Sequence, residues 1–479
     1  MHISSIIPLV PAIPFTLAAL EIHLQKRAVT LTVDVSKTYQ TIDGFGFSEA
    51  FQRANQIVNL PAAKQRLVLD VFFNTTTGAG MSILRNGIGS SSDSRSDLMN
   101  SILVTKMSSP SATPNYTWDG KDSGQLFVSK EAMKYGVKTF YANAWSAPPF
   151  MKTNNNENNG GYLCGVSGQT CASGDWKQAY ANYLVQYVRF YESEGVKITH
   201  LGFLNEPDFT ASYASMLSSG TQAADFIKVL YPTLKAANMS HIAITCCDST
   251  GWNDAGSKVS QLKAAGVENQ LGVITSHTYT SNFNGPLKTS LKVWQTEYSD
   301  LNGGWTTAWY QNGGAGDGMT WASTLHNALV NNNCSGYLYW VGTQWGNTNE
   351  KMIKIDDTTK DVQISKRVWA FAQYSRYIRP GAVRVSAAGA PSGVSASAFV
   401  NSNEAESGNG SLVVPVLNTG TGSQILTTKV GGGFVAGNVS AWITDNTREM
   451  ARTDAVLAAD GTVTGTVPGR SFVTFVLTK

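Results

Sequence analysis

Two glutamates 91 residues apart each follow a short apolar run, and they are the first candidates for chemistry in this chain. Residues 201–204 are apolar and lead into Asn205-Glu206-Pro207, and residues 292–297 repeat the pattern up to Glu297. A short apolar run that stops at polar residues and a proline suits a buried strand better than a helix, because proline lacks the N–H that a helix needs. Both carboxylates should therefore emerge at strand ends, where they can face one substrate.

The other predicted strand ends carry side chains that would complete such a site. They supply cations, amides and aromatic rings, namely Arg85, Asn86, Trp145, Asn205, His277, Tyr279, Trp340 and Trp345. The set suits glycoside hydrolysis, in which one carboxyl group donates a proton to the leaving oxygen and a second attacks or activates water. Glu49, just past the first strand, is a competing carboxylate to which we assign a structural role.

Strands and helices alternate along most of the chain. The predicted strands are 41–47, 80–86, 138–145, 200–206, 241–247, 271–277, 291–297 and 335–341. Helical patterns separate most of them, at 61–73, 128–135, 176–194, 222–237, 254–265, 320–331 and 364–377, with only a weak signal between strands six and seven. This order predicts an α/β fold, a (β/α)8 TIM barrel, whose strand ends meet at one face. A doubly wound sheet is disfavoured because residues 44–47 lack the third glycine of GxGxxG.

The composition changes after Pro380. Residues 381–479 form short alternating runs rich in Val, Thr and Ser, separated by turn signals, which predicts a β-sandwich module beside the barrel. The alternating strand at 28–40 has no partner in a barrel of eight strands spanning 41–380, so we expect it to pair with this module. Residues 1–27 are interpreted as a signal peptide and a propeptide cleaved after Lys26-Arg27.

Secretion agrees with the six N-x-S/T sequons and with the five cysteines. Cys164 and Cys171 flank a Gly/Ser-rich loop that a disulfide could close. One of Cys246 and Cys247 is expected to pair with Cys334, which leaves one thiol free.

Composition and motifs argue against several other functions. Charged residues make up 14% of the chain, the net charge is +3, and no Lys/Arg run supplies a nucleic-acid-binding face. The apolar N-terminal stretch is short and broken by prolines, so no membrane span is expected. The six histidines show no HxH or HExxH spacing, and GxSxG is missing, so we expect no metal, no cofactor and no serine nucleophile. We expect the protein to be a monomer whose binding partner is a polysaccharide substrate.

The ordered motifs resemble one family of carbohydrate-cleaving enzymes. Asn205-Glu206-Pro207 and Glu297 resemble the strand-4 and strand-7 glutamates of the retaining (β/α)8 glycosidases. Gly44-Phe45-Gly46, residues 145–152 and His277-Thr278-Tyr279, together with the C-terminal β-module, resemble glycoside hydrolase family 30 over residues 29–479, most of all its fungal xylanase branch. The resemblance implies that Glu206 is the acid/base and Glu297 the nucleophile.

The residues around the two glutamates have expected roles of their own. Arg85 would hold Glu297 ionised, since a nearby cation favours the carboxylate. Tyr279 would hydrogen-bond the nucleophile, and Asn205 would bind the sugar 2-hydroxyl. Arg53, after the first strand, would read the carboxylate of a glucuronic acid branch bidentately, as the resemblance also implies. The tryptophans would either stack sugars or plug the barrel.

The sequence therefore predicts a secreted retaining glycosidase. Its expected substrate is the β-1,4-linked backbone of xylan or glucuronoxylan, with release of disaccharides from a chain end as a further expectation. The first alternative is a β-1,6-glucanase or β-galactanase of the same family. The second alternative is a carbohydrate-binding protein without catalytic activity, and the presence of both glutamates argues against it.

Overall fold

The computed structural model describes residues 28–93, 98–401 and 410–479. The predicted signal peptide and propeptide at 1–27, and the sequon at Asn409, lie outside these ranges. None of the described helices is long and apolar enough to cross a bilayer.

Strands and helices are numbered in chain order. The strands of the first part are β1 (Val29–Thr41), β2 (Gly44–Ser48), β3 (Ile83–Ile88), β4 (Thr139–Ala144), β5 (His200–Gly202), β6 (Ala243–Ser249), β7 (Val273–His277), β8 (Lys292–Glu297), β9 (Asp300–Gly304), β10 (Gly336–Gln344), β11 (Thr348–Asn349), β12 (Lys351–Ile355) and β13 (Val362–Ile364). The helices are α1 (Ala54–Val58), α2 (Ala62–Phe73), α3 (Gln125–Lys134), α4 (Lys177–Ser193), α5 (Gly220–Ala236), α6 (Trp252–Ala264), α7 (Gly318–His326) and α8 (Lys366–Ser375). The C-terminal strands are β14 (Val383–Ala388), β15 (Val394–Ala396), β16 (Ala398–Asn401), β17 (Ser411–Asn418), β18 (Gln424–Gly431), β19 (Asn438–Thr444), β20 (Ala451–Thr453), β21 (Ala455–Leu457), β22 (Val463–Val467) and β23 (Ser471–Thr478).

Eight parallel strands close into a barrel, which confirms the predicted (β/α)8 fold. They run in the order β2 to β8 and then β10, and β10 closes the ring by pairing with both β8 and β2. All seven predicted helices are present within three residues at their starts, and α1 is an additional short helix. Residues 278–291, between β7 and β8, contain no helix, in agreement with the weak pattern there.

Large side chains fill the lower interior of the barrel. Ile83, Tyr141, Val273, Trp294 and Leu338 form one buried cluster, each from a different strand. Because helices cover the outer face of a parallel sheet, its strands are buried on both sides and read as continuous apolar runs. The packed interior leaves only the carboxyl ends of the strands open to a substrate.

The N-terminal strand belongs to the C-terminal module, as predicted. β1 pairs in antiparallel register with β14 and in parallel register with β18. Its alternate residues Leu31 and Val33 are fully buried in the apolar core of the module. The chain thus begins in the sandwich, passes through the barrel, and returns to the sandwich.

Helix α8 joins the module to the barrel. Gln373 on α8 is fully buried, and its Nε2 donates to Thr444 Oγ1 at 2.8 Å and to the Phe472 carbonyl at 3.2 Å. The ring of Tyr374 packs edge-on against Phe472, with centroids 5.1 Å apart. A buried side-chain amide that loses its partners costs about 1–3 kcal/mol, so these contacts hold the module against one side of the barrel.

The structure confirms one disulfide expectation and contradicts the other. Cys164 and Cys171 form a disulfide, as predicted. Cys246 and Cys247 are bonded to each other, and Cys334 is a buried free thiol, so the predicted pairing with Cys334 is wrong. β7 and β8 separate β6 from the start of β10. With neighbouring strands about 4.8 Å apart, Cys334 lies beyond the reach of a disulfide to β6.

Candidate active site

A cleft of about 500 Å³ lies at the carboxyl ends of the barrel strands. Both glutamates singled out in the sequence line it, and aromatic side chains supply much of the remaining wall. The lining residues are Phe51, Arg53, Trp145, Glu206, Phe209, Tyr213, Thr250, Tyr279, Thr280, Glu297, Leu301, Trp340 and Glu350. Phe209 and Tyr213 remain 46% and 38% exposed, so the rim presents uncovered aromatic faces of the kind that sugars stack on.

Glu206 lies just past strand β5, which ends at Gly202, earlier than predicted. Its backbone is in the left-handed region (φ 48°), which is rare for a residue other than glycine. The backbone N–H of Glu206 donates to the Asp248 carbonyl at 2.8 Å, which anchors this turn to the end of β6. The carboxylate has two partners: Tyr213 donates to Oε2 at 3.2 Å, and His277 Nδ1 lies 3.1 Å from Oε1.

Glu297 is the last residue of β8 and faces Glu206 across the cleft floor. Arg85 Nη1 donates to Glu297 Oε2 at 2.6 Å, and His277 Nε2 lies 3.7 Å from the same oxygen. An oxygen of each glutamate and a ring nitrogen of His277 all lie within 4.8 Å of one another. The structure thus brings the two carboxylates together as the strand-end argument predicted.

Charges around the glutamates shift several pKa values. Burial raises the pKa of Glu297, while the positive charges of His277 and Arg85 oppose this rise. Burial alone would lower the pKa of His277, but Glu297, Asp248 and Glu206 raise it to about 10. His277 is therefore an imidazolium at neutral pH. Below pH 6.5 its protonation contributes fully to stability, and this contribution is lost as the pH rises towards 10.

The donor atoms of Glu206, His277 and Glu297 also have the types and spacing of a metal site. An imidazolium has no free lone pair for a metal. Both ring nitrogens of His277 already face carboxylate oxygens, Glu206 at 3.1 Å and Asp248 at 3.3 Å. The arrangement matches proton sharing among carboxylates better than metal coordination.

Arg53 reaches the cleft from the segment after β2. It lines the cavity, is 8% exposed, and donates from Nη1 to the Phe51 carbonyl at 2.9 Å. Its guanidinium lies 4.4 Å from the ring centroid of Trp345. Trp345 is not part of the cleft wall, and its ring supports Arg53 by a cation–π contact.

The aromatic wall is organised around Phe51. Its ring makes edge contacts with Trp145, Tyr213 and Trp340 at centroid distances of 5.6, 5.7 and 6.0 Å. Trp145 is 1% exposed and lies under the guanidinium of Arg85 at 4.5 Å. Trp145 and Trp340 therefore form part of the cleft wall, and the fully buried Arg85 lies behind it between Trp145 and Glu297.

Five residues predicted to bind substrate are not part of the cleft wall, namely Arg85, Asn86, Asn205, His277 and Trp345. Asn86 is fully buried and donates to Ser129 Oγ at 3.0 Å, outside the barrel. Neighbouring residues of a strand point to opposite faces, so Arg85 and Asn86 cannot both enter the cleft. His277 is fully buried beneath the two glutamates, and Trp345 lies behind Arg53. Asn86 thus faces away from the cleft, whereas His277 contacts its two glutamates and Trp345 contacts Arg53.

Hydrogen bonding defines the position of Asn205, and burial distinguishes Glu49 from the two glutamates of the cleft. Asn205 accepts from Arg85 Nη2 at 2.5 Å through Oδ1, so its amide N–H groups are left for other partners. Glu49 is 2% exposed and does not line the cleft, and burial raises its pKa well above the ordinary value. Its position agrees with a structural role.

Sequence reasoning missed Asp248 and Tyr213. Asp248 ends the apolar part of β6, and the predicted fifth strand stopped at residue 247, so counting one residue further would have placed it among the strand ends. Tyr213 lies in the loop after Glu206, where no periodic pattern marks a side chain as facing the cleft. Tyr213 donates directly to Glu206, and Asp248 contacts His277, which lies against both glutamates.

A closed (β/α)8 barrel whose cleft holds carboxylates at the ends of its fourth and seventh strands is the architecture of a glycoside hydrolase. Residues 28–287 match the family model of O-glycosyl hydrolase family 30. The chain belongs to glycoside hydrolase family 30, as its motifs predicted.

Three known proteins similar to this chain are named after activities on two polysaccharides, xylan and β-1,6-glucan. The catalytic domain of the family 30 xylanase C from Talaromyces cellulolyticus is 47% identical with a TM-score of 0.87, and the match covers 94% of this chain and all of that one. Endo-1,6-beta-D-glucanase BGN16.3 of Trichoderma harzianum is 27% identical over 59% of this chain and 57% of its own length. Glucuronoxylanase XynC of Bacillus subtilis is 24% identical over 74% of this chain and 77% of its own length.

Proposed function

We propose that this enzyme is a retaining glycosidase that cleaves β-1,4-xylosidic bonds of xylan, with glucuronoxylan as its preferred form. The observation that carries the proposal is the pair Glu206 and Glu297, whose oxygens come within 4.8 Å across the floor of an aromatic cleft. Retaining glycosidases place their two carboxyl groups about 5–5.5 Å apart, because the nucleophile must reach the anomeric carbon directly. The 47% identity to a family 30 xylanase supports the choice of sugar.

The proposed reaction has two steps. In the first, Glu206 gives its proton to the leaving oxygen while the Glu297 carboxylate forms a bond to the anomeric carbon. In the second, Glu206 takes a proton from water, which displaces Glu297 and restores the β configuration. Tyr213 and His277 hold the Glu206 carboxyl on both oxygens, so its orientation is set before the substrate arrives.

Two cations prepare Glu297 to act as a nucleophile. Its burial favours the neutral acid, which cannot attack, and Arg85 at 2.6 Å together with the His277 imidazolium opposes that effect. Arg85 also holds Asn205 Oδ1, which directs the amide N–H groups of Asn205 to the sugar 2-hydroxyl. Tyr279 lines the cleft beside Glu297, and the carboxylate adds to the effect of burial in raising the pKa of this phenol.

Arg53 is proposed to recognise the uronic acid branch of glucuronoxylan. Arg53→Leu is expected to lower kcat/KM on glucuronoxylan by about 10- to 100-fold, the value of a charge-assisted bidentate contact of ~1.5–3 kcal/mol. On unbranched xylooligosaccharides the variant should retain its rate within about threefold, since no carboxylate is present. Steady-state kinetics on both substrates provide the measurement.

A matched variant separates charge from shape at this position. Arg53→Lys keeps the positive charge and loses the planar fork, so it should recover only part of the activity on glucuronoxylan. Equal effects of Arg53→Leu on branched and unbranched substrates would reject the uronic acid assignment.

A second candidate substrate is β-1,6-glucan, because three of the sequence relatives are named endo-1,6-beta-D-glucanases. The test is the product profile of the wild-type enzyme on glucuronoxylan, unbranched xylan, β-1,6-glucan and β-galactan. We expect acidic and neutral xylooligosaccharides, with xylobiose accumulating if the enzyme acts from a chain end. Faster release of glucose oligomers or galactose oligomers would show that β-1,6-glucan or β-galactan, and not xylan, is the substrate.

Secretion as a monomer is part of the same proposal. The apolar stretch before Lys26-Arg27 and the Cys164–Cys171 disulfide support an extracellular location, since such bonds persist in oxidising compartments.

A further inference from the structure

We propose that Asp248 is a positioning residue that serves as the fixed counter-ion of the active site, keeping the cluster of two cations and two glutamates electrically neutral in both reaction steps. The inference rests on the proposed two-step function. Asp248 does not line the cleft and therefore acts through Arg85 and His277.

The contacts of Asp248 account for both of its carboxylate oxygens. Oδ1 lies 3.4 Å from Arg85 Nη2 and 3.3 Å from His277 Nε2, and it also accepts from Thr296. Oδ2 accepts from Thr275 Oγ1 at 2.9 Å and from the hydroxyl of Tyr141. The side chain is 1% exposed, so its charge is compensated by protein groups and not by water.

The charged and titratable groups around Asp248 come from four other strands of the barrel. Arg85 extends from β3, Tyr141 from β4 and His277 from β7, and Glu297 ends β8. Glu206 is bound through its backbone N–H to the Asp248 carbonyl. Burial would raise the pKa of Asp248, but Arg85 and the hydrogen bonds from His277 and Thr296 lower it to about 2. Asp248 is thus an anion throughout the working pH range.

The anion of Asp248 balances the charge of the cluster in both states of the reaction. Before reaction, Arg85 and His277 are positive, Glu297 and Asp248 are negative, and Glu206 carries the proton that it will donate. In the glycosyl-enzyme, Glu297 is a neutral ester and Glu206 is the carboxylate. The sum is zero in both states, and the negative charge has moved from one side of His277 to the other. His277 contacts both glutamates, at 3.1 and 3.7 Å, and keeps its proton because Asp248 does not change.

Without Asp248 the cluster would carry one excess positive charge in a buried site. The excess positive charge would favour release of a proton from the cluster at lower pH. In Asp248→Asn, which keeps the size of the side chain, we expect the alkaline limb of kcat/KM to move to lower pH by about one to two units. A purely structural role would lower the rate equally at every pH and leave the limb in place.

His277→Gln provides the opposite perturbation and keeps the proposal testable if Asp248→Asn fails to fold. Loss of the imidazolium leaves one excess negative charge, so the alkaline limb should move to higher pH. The double variant Asp248→Asn/His277→Gln removes one charge of each sign, and its limb should return to within about half a unit of the wild-type position. The proposal would be overturned if the alkaline limbs of the two single variants moved in the same direction. It would also be overturned if the alkaline limb of the double variant did not return towards the wild-type position.

A substrate-free measurement separates this proposal from the proposed function. Imidazole ¹⁵N shifts of His277, followed by NMR over pH 5–11, should show its titration at lower pH in Asp248→Asn than in the wild type. Thr275→Val is the matched control: it removes a hydrogen bond to Asp248 without changing any charge, so the titration should stay in place. An unchanged titration in Asp248→Asn refutes the counter-ion, whereas an inactive wild type with a shifted titration refutes only the proposed function.

Discussion

Glu297→Ala is expected to lower kcat on xylan by at least about 10⁴-fold, because no other group on the cleft floor can form the bond to the anomeric carbon. The fold should survive, since the smaller side chain leaves space at the open end of the barrel. Without Glu297, the guanidinium of Arg85 would still contact Asp248 and Asn205.

Rescue with azide identifies the role of Glu297. The space left by the side chain lies next to Arg85, which attracts an anion, and azide can attack the anomeric carbon once from that side. We expect azide to restore turnover of an activated aryl xylobioside and to yield the α-glycosyl azide, whose configuration is inverted. A β-glycosyl azide would contradict the assignment of Glu297 as the nucleophile.

Glu350→Gln is the matched control for this experiment. Glu350 also lines the cleft, but its carboxylate accepts from Thr348 Oγ1 at 3.1 Å and is not one of the two glutamates on the floor. Its substitution should leave kcat within about threefold of the wild type, as surface-like changes away from the reacting atoms usually do. If the wild type itself releases no sugar but binds xylooligosaccharides in calorimetry, the carbohydrate-binding alternative replaces the enzyme.

Glu206→Ala is expected to affect substrates according to their leaving groups. General acid catalysis contributes about 10²–10⁴-fold, so xylan, whose leaving group is a sugar alkoxide, should slow by that factor. A dinitrophenyl xylobioside needs no proton to leave, so its glycosyl-enzyme should still form quickly and then accumulate. Pre-steady-state release of dinitrophenol, followed by mass spectrometry of the intact protein, measures both effects.

The direction of azide attack again distinguishes the two glutamates. In Glu206→Ala the Glu297 ester is intact, so azide should attack it from the opposite face and give the β-glycosyl azide. If the rate of dinitrophenol release in the pre-steady state falls by the same factor as the rate on xylan, Glu206 is not the proton donor. Tyr213→Phe, which removes the 3.2 Å hydrogen bond to Glu206 but keeps the ring, is the control for changes in this part of the wall.

Local patterns in the sequence were sufficient to predict the framework of the enzyme. Apolar runs ending in Asn205-Glu206 and at Glu297 marked two strands, and their places as the fourth and seventh strands put both carboxylates at one face. The alternating strand at 28–40 was assigned to the C-terminal module because a closed barrel has no edge to receive it. These inferences succeed because strand order, period and length are properties of contiguous residues.

Tertiary structure decided which side chains meet. Asn86 and Arg85 are equally polar in the sequence, but the register of β3 turns one outward and the other onto Glu297. One of Cys246 and Cys247 is expected to pair with Cys334, but two strands lie between them and the two neighbouring cysteines bond to each other. Asp248 became visible only when β3, β7 and β8 brought Arg85, His277 and Thr296 around it. Such contacts join residues up to 212 positions apart, and they depend on barrel register, which no local pattern records.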